Sequence, residues 1–319
     1  MSSERTILVL GGGPDAERQV SLTSARFVGD ALEKSGRFRV NRQTIDTVSN
    51  SQLARLEGDV IFPVLHGGWG EGGQLQEILE RDGRPFVGSG SRAARAAMDK
   101  LATKMIALRE GIATPVSHIL DLRDPSCPLP LPVIIKPVHE GSTIGLHVVT
   151  TKEHWLAARR QIGEEQLRAP AGSAAASRVY MIEPKIAGRE LTVGLIDGEA
   201  LPIIEIAAAS GLYDYEAKYH RSDTTYTLDP ALPAGVAHRV NQQSVTLAGT
   251  MGVRHLGRAD FMLDAAGTAW LLEINTIPGF TDHSLVPMAA RHRGIEMPEL
   301  CATLVDVALR DAPTAIPAR

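Results

Sequence analysis

The run Trp270-Leu271-Leu272-Glu273-Ile274-Asn275 sets an acid and an amide into an otherwise apolar strand. Side chains on a strand alternate with period two, so Glu273 and Asn275 share one face. A second run, Arg258-Ala259-Asp260-Phe261-Met262-Leu263, carries another acid in the same kind of setting. Acids with apolar flanks need partners once they are buried. Asp260, Glu273 and Asn275 together offer hard oxygen donors, which Mg²⁺ accepts alongside phosphate oxygens and water. The plain alternative is a pair of solvated strand ends, and the apolar flanks weigh against it. The chain must therefore present a sheet face to a metal–phosphate site.

The 319 residues exceed one small core and suit two or three lobes. The apolar run 7–10 reads as a buried parallel strand, turned by Gly11-Gly12-Gly13 into a helix over 16–35. Strands at 38–45 and 59–65, a glycine-rich loop at 66–73, a helix at 74–81 and a short strand at 85–87 follow. This βα alternation predicts a doubly wound parallel sheet. Residues 91–110 have helical composition and 121–132 form a proline-rich loop. Strand 133–136 enters a second glycine loop at 140–145, and strand 146–149 leaves it, a hairpin unlike the strand–loop–helix of a Walker P-loop. The Ala-rich stretch 164–177 reads as a helix end plus a loop. Strands at 179–183, 189–196, 200–206, 258–263 and 269–274 alternate in the antiparallel manner. Between them, residues 210–229 are polar and aperiodic, as in a functional flap.

A net charge of −4 argues against a nucleic-acid or membrane partner. Cys127 and Cys301 form no metal pattern and read as two thiols in a reducing compartment. The apolar run 6–10 is too short for a signal peptide or a membrane span, which places the protein in the cytoplasm.

Two further constellations carry chemistry. Gly11-Gly12-Gly13-Pro14-Asp15-Ala16 fits a dinucleotide fingerprint, with Asp46 as the acid after the second strand. Pro14 and the charged Glu17-Arg18 speak against that reading and for a tight turn. A carboxylate at Glu17, in the first turn of the helix, is placed to hold an ammonium. Lys100, after Met98-Asp99, and Lys136, at the end of an apolar strand, flank the loop that holds Ser142; buried lysines there call for phosphate.

In chain order, Ala16-Glu17-Arg18-Gln19-Val20-Ser21-Leu22, His66-Gly67-Gly68, Met98-Asp99-Lys100, Lys136-Pro137 and Glu140-Gly141-Ser142 are followed by Tyr213-Asp214-Tyr215-Glu216-Ala217-Lys218-Tyr219, Gly257-Arg258-Ala259-Asp260, Glu273-Ile274-Asn275-Thr276 and His283-Ser284-Leu285-Val286-Pro287-Met288. From residue 7 to about 305 this series resembles the D-alanine–D-alanine ligases of the ATP-grasp superfamily. The resemblance implies an α/β ATP-grasp fold: an N-terminal domain at 1–92 with the parallel sheet, a central lobe at 93–179, and a C-terminal lobe at 180–319 with largely antiparallel sheet. It implies ATP-dependent joining of two D-alanines through a D-alanyl phosphate, as cytoplasmic supply of a peptidoglycan precursor by a homodimer.

The resemblance also assigns roles. Asp260, Glu273 and Asn275 would hold two Mg²⁺ or Mn²⁺, with room for a monovalent cation. Lys100 and Lys136 would contact ATP phosphates, Glu183 and Ile186 adenine, and Glu190 the ribose. Glu17 and His66 would bind the first D-alanine, and Ser284 and Lys218 the second. Arg258 and the Gly279 N–H would stabilise the oxyanion. Ser142 and Tyr219 would link to Glu17 and close the flap. The chain departs from the family at Trp69-Gly70-Glu71-Gly72-Gly73, at Gln19, and at Pro184-Lys185, where proline lacks an N–H. A D-alanine–D-serine or D-alanine–D-lactate ligase is the near alternative, and a nicotinamide-dependent dehydrogenase on the Gly11 loop the distant one.

Overall fold

The computed structural model describes residues 4–141, 143–170, 173, 175–208 and 223–312. Strands β1 (Thr6–Gly12), β2 (Arg39–Ile45) and β3 (Val60–Pro63) form a parallel sheet in the order β2-β1-β3. The expected strand at 85–87 is reduced to a single parallel bridge, Ile61 to Phe86. Helices α1 (Arg18–Lys34), α2 (Asn50–Leu53), α3 (Gly67–Glu71) and α4 (Gln74–Asp82) connect this layer. The glycine-rich stretch expected to be a loop thus contains the one-turn helix α3.

The helical stretch 91–110 is two helices, α5 (Ser91–Met98) and α6 (Lys100–Arg109). Asp99 divides them: its extended backbone ends α5, and its carboxylate accepts the Leu101 and Ala102 N–H groups that open α6. Strands β4 (His118–Ile119), β5 (Val133–Pro137), β6 (His147–Val149) and β7 (Tyr180–Pro184) form an antiparallel sheet in the order β4-β7-β5-β6. Helix α7 (Lys152–Arg168) packs Trp155, Ala158 and Ile162 against it. The strand expected at 179–183 therefore joins the central sheet.

Strands β8 (Arg189–Ile196), β9 (Glu199–Ala208), β10 (Thr224–Leu228), β11 (Leu256–Leu263) and β12 (Ala269–Asn275) form a third sheet in the order β10-β9-β8-β11-β12. Every pairing in it is antiparallel. Residues 224–228, read from the sequence as part of an aperiodic flap, pair with β9. Helix α8 (Val236–Met251) covers one face of this sheet together with α5 and α6. The last helices, α9 (Leu285–His292) and α10 (Met297–Arg310), cover the other. They do so in a core that also holds Ile7, Val9 and Phe62 of the first sheet. No helix among the described residues is long and apolar enough to cross a membrane.

Candidate active site

The acids of β11 and β12 meet because of an irregularity. The pairing runs Arg258 to Asn275, Ala259 to Ile274 and Asp260 to Glu273, then shifts so that Phe261 faces Leu271. Leu272 is the extra residue of this bulge. Cross-strand partners share a face, so Arg258, Asp260, Glu273 and Asn275 form one polar patch. Arg258 grips Asp260 with two nitrogens, Nη2 to Oδ2 at 2.7 Å and Nε to Oδ1 at 2.9 Å. The Thr192 hydroxyl on β8 donates to Asp260 Oδ1 at 2.6 Å. Lys100 Nζ stands 3.5 Å from Glu273 Oε2. Asn275 Oδ1 accepts the Ile277 N–H at 2.9 Å.

Two carboxylates and an amide oxygen lie on one face, with Arg258 and Lys100 balancing the two negative charges. Among the described residues no three His, Cys, Asp or Glu side chains close into a metal cage. Asp260, Glu273 and Asn275 are hard oxygen donors of the kind a cation shared with phosphate and water accepts.

A cavity of about 340 Å³ lies between the central and third sheets. Five residues expected to contact ATP, Lys100, Lys136, Glu183, Ile186 and Glu190, all line it, as do Arg258, Asp260 and Glu273. Its walls carry apolar surface from Ile134, Leu146, Met262 and Leu272, a slot for a flat ring beside charged groups. In the connection after β7, the Lys185 N–H goes to Pro132 O at 3.0 Å, while Pro184 has none to give. Lys100 Nζ donates to the Glu140 carbonyl at 2.5 Å. Burial holds the Lys100 ammonium below its ordinary pKa, although Glu273 works the other way.

Three charged residues outside the sequence-based set also belong here. Arg178 pairs with Glu140, tying the glycine loop to the start of β7. Lys104 and Lys136 both contact Glu183, at 2.9 Å and 2.5 Å. Lys104 follows Lys100 by one helical turn, and that spacing is the signal that could have found it. Arg178 and Glu140 are far apart in sequence and carried no such signal.

The other expected residues gather beyond the metal patch. Glu17, at the start of α1, and His66, before α3, are both buried. Glu71 accepts the Gly67 N–H at 3.0 Å. A Cβ added to Gly141 would lie 3.7 Å from Glu17 Oε2 and 4.0 Å from Glu71 Oε1, so the glycine loop faces both acids. Burial and then the Glu17 charge push the Glu71 carboxyl well up. Burial pulls the His66 imidazole down to about 4 and keeps it neutral. Glu71, Gly141, Lys100, Glu273 and Asn275 line one small cleft that connects this group to the cavity. In the turn after β12, Ser284 Oγ accepts the Thr281 N–H at 2.9 Å, and a Cβ on Gly279 would lie 3.2 Å from that oxygen. Gly279 and Ser284 are thus neighbours. Ser142, Lys218 and Tyr219 lie outside the described residues.

The Gly11 loop does not form a nucleotide cradle. Arg18 Nη1 fills it, donating to Gly13 O at 2.8 Å and pairing with Asp46 Oδ1 at 2.5 Å. A Cβ on Gly12 would come 2.2 Å from Ile45 O, which explains the glycine as a close-approach turn. The dehydrogenase alternative loses both its phosphate seat and its acid.

A family profile described as "D-ala D-ala ligase C-terminus" matches residues 122–306. The D-alanine–D-alanine ligase of Bordetella petrii is 42% identical over 314 residues, covering 94% of this chain and 91% of that protein. The crystal structure of D-alanine–D-alanine ligase from Bacillus anthracis complexed with ATP superposes with a TM-score of 0.80 at 29% identity, covering 97% of this chain and 98% of that one. The VanG D-Ala:D-Ser ligase from Enterococcus faecalis shares the fold, with a TM-score of 0.78 at 24% identity over 96% of this chain and 100% of that one. The three sheets, the cavity between the second and third of them and these likenesses agree: the chain belongs to the D-alanine–D-alanine ligase family of ATP-grasp enzymes.

Proposed function

We propose that this enzyme converts ATP and two D-alanines into ADP, phosphate and D-alanyl-D-alanine. A carboxylate oxygen of the first D-alanine attacks the γ-phosphorus, and ADP leaves. The amine of the second D-alanine then attacks the acyl carbon, and the phosphate departs with the bonding electrons. The observation that carries this reading is the shared cavity. Arg258, Asp260, Glu273 and Asn275 occupy one sheet face, and Lys100 and Lys136 stand on the elements beside it.

Lys100 and Lys136 hold the phosphate chain, while Glu183 and Ile186 border adenine and Glu190 meets the ribose. Glu17 takes the ammonium of the first D-alanine with neutral His66 nearby. Arg258 and the Gly279 N–H meet the oxyanion of the tetrahedral intermediate, and Ser284 the second carboxylate. Asp260, Glu273 and Asn275 would hold two Mg²⁺, which supply Lewis-acid neutralisation of the phosphate charge. The lobes divide near residue 92 and after the strand Tyr180–Pro184, which belongs to the central sheet, rather than at 179. A cytoplasmic homodimer that supplies a peptidoglycan precursor completes the reading.

The experiment is product analysis. Purified protein with ATP and Mg²⁺ is given D-alanine alone, then D-alanine with D-serine or D-lactate. Phosphate release that depends on D-alanine, with the dipeptide as main product, is expected. Phosphate release indifferent to D-alanine would sink the proposal, and a mixed product favoured over the dipeptide would move it to the D-serine or D-lactate class.

A further inference from the structure

Lys104 sits behind the cavity wall rather than on it. Only 4% of its side chain is exposed. Its ammonium donates to Thr114 Oγ1 at 2.9 Å and to Pro115 O at 2.8 Å, and Thr114 Oγ1 in turn donates to Leu271 O at 2.8 Å. These are fixed groups on a neighbouring loop and on β12. The third neighbour of Lys104 Nζ is Glu183 Oε2, an ion-pair contact at 2.9 Å. Glu183 is as buried as Lys104, and its other oxygen contacts Lys136 Nζ at 2.5 Å. Lys136 and Glu183 line the cavity.

The three groups therefore differ in freedom. Lys104 is anchored by two neutral acceptors and cannot leave. Lys136 pairs with Glu183 and lines the cavity that would receive the nucleotide. Burial by itself raises the Glu183 carboxyl, but Lys136 and then Lys104 outweigh it and hold it below its ordinary pKa. The charged groups around Glu183 are Lys104 and Lys100 from α6 and Lys136 from β5, with Glu273 of β12 beyond Lys100. If Lys136 turns to a phosphate, a buried carboxylate with no other cation beside it is a costly state.

We propose that Lys104 is a positioning residue for the nucleotide: the permanent counter-charge of Glu183, which frees Lys136 to move from Glu183 onto the phosphate chain. This rests on the proposed role of Lys136 as a phosphate ligand. Without nucleotide, Glu183 lies between two cations and holds the Lys136 ammonium. In the nucleotide complex the Lys104–Glu183 pair remains, and no buried charge is left alone.

Binding of ATP and of adenosine, with Mg²⁺ and without D-alanine, tests this by calorimetry on wild type, K104M, E183Q, the K104M/E183Q double variant and K136M. The ratio of the two affinities isolates the share of the phosphate chain from any change at adenine. K104M is expected to lower that ratio about tenfold or more, because Glu183 then retains Lys136. Adding E183Q to K104M is expected to bring the ratio back to within about threefold of wild type, since Lys136 is released again. A merely structural role for Lys104 would not be rescued by a second change at Glu183. An unchanged ratio in K104M, or a loss that persists in the double variant, overturns the inference. If K104M does not fold, E183Q alone decides: it frees Lys136 with Lys104 in place, so its ratio stays at or above wild type, and a fall of about tenfold counts against the inference. K136M separates the two proposals. An undiminished ratio there removes Lys136 from the phosphates and the inference with it, whereas a fall in K136M without one in K104M overturns only the part assigned to Lys104.

Discussion

Single residues here owe their chemistry to how far water is excluded from them. Glu273 is partly open to the cavity and meets Lys100 at 3.5 Å, a loose contact that a cation and phosphate can replace. Glu273→Gln keeps the shape and removes the charge. Turnover is expected to fall by at least about a thousandfold while the melting temperature stays within a few degrees, because the group acts on charge that develops in the reaction. Activity within a few-fold of wild type would remove Glu273 from the metal set. His66 works in the opposite sense. Its folded value is about 4 against an ordinary 6.5, so the unfolded chain binds a proton that the folded one refuses. Stability from this residue is complete above pH 6.5 and is lost as pH falls toward 4, a loss of about 3 kcal/mol across that window. His66→Gln is expected to show a shallower loss of melting temperature between pH 7 and pH 4. An unaltered slope would show that His66 is not the proton acceptor. The identity of both residues was legible in the sequence. The neutrality of His66 was not, because it follows from burial by distant segments.

Elements set which side chains meet. Period-two alternation was enough to put Glu273 and Asn275 on one face. It could not supply the bulge at Leu272, which decides that Glu273 faces Asp260. Nor did alternation reveal that Asp99 breaks the stretch 91–110 into two helices, with Lys100 at the first position of the second. Gly188, at the entry to β8, is an element-scale constraint of another kind. A Cβ there would stand 2.0 Å from Leu263 O at the end of β11. Gly188→Ala must push these strands apart beside the wall that borders Ile186 and Glu190. Roughly 1–3 kcal/mol of stability is expected to be lost, with weaker ATP binding, readable by chemical denaturation and calorimetry. A variant as stable as wild type would mean that the entry to β8 relaxes without disturbing β11.

At the scale of the molecule, the chain closes on itself. Leu300, Leu304 and Val305 of α10 share a core with Ile7, Val9 and Phe62 of the first sheet. The Phe62 and Phe280 rings meet at a tilt of 53° with centroids 6.2 Å apart, and Arg37 holds Asp306 with contacts of 2.8 Å and 2.9 Å. The first lobe therefore lacks part of its own core. Residues 1–92 expressed alone are expected to remain largely unfolded by circular dichroism and to show no cooperative melting, since one face of the sheet would be left in water. A cooperatively melting fragment would show that the lobe is self-sufficient.

The sequence by itself located most of the strands, the tight turn at Gly11-Gly12-Gly13, and the acids and lysines Asp260, Glu273, Lys100 and Lys136 that line the cavity, because periodicity and local composition report directly on which side chains are buried. Only the tertiary structure decided that Asp260 faces Glu273 across a bulge, that Lys104 shares Glu183 with Lys136, that Arg18 fills the Gly11 turn, and that the last helix completes the first core. Register, ion pairing and burial by remote segments depend on where the whole chain comes to rest. No short window of residues carries that information.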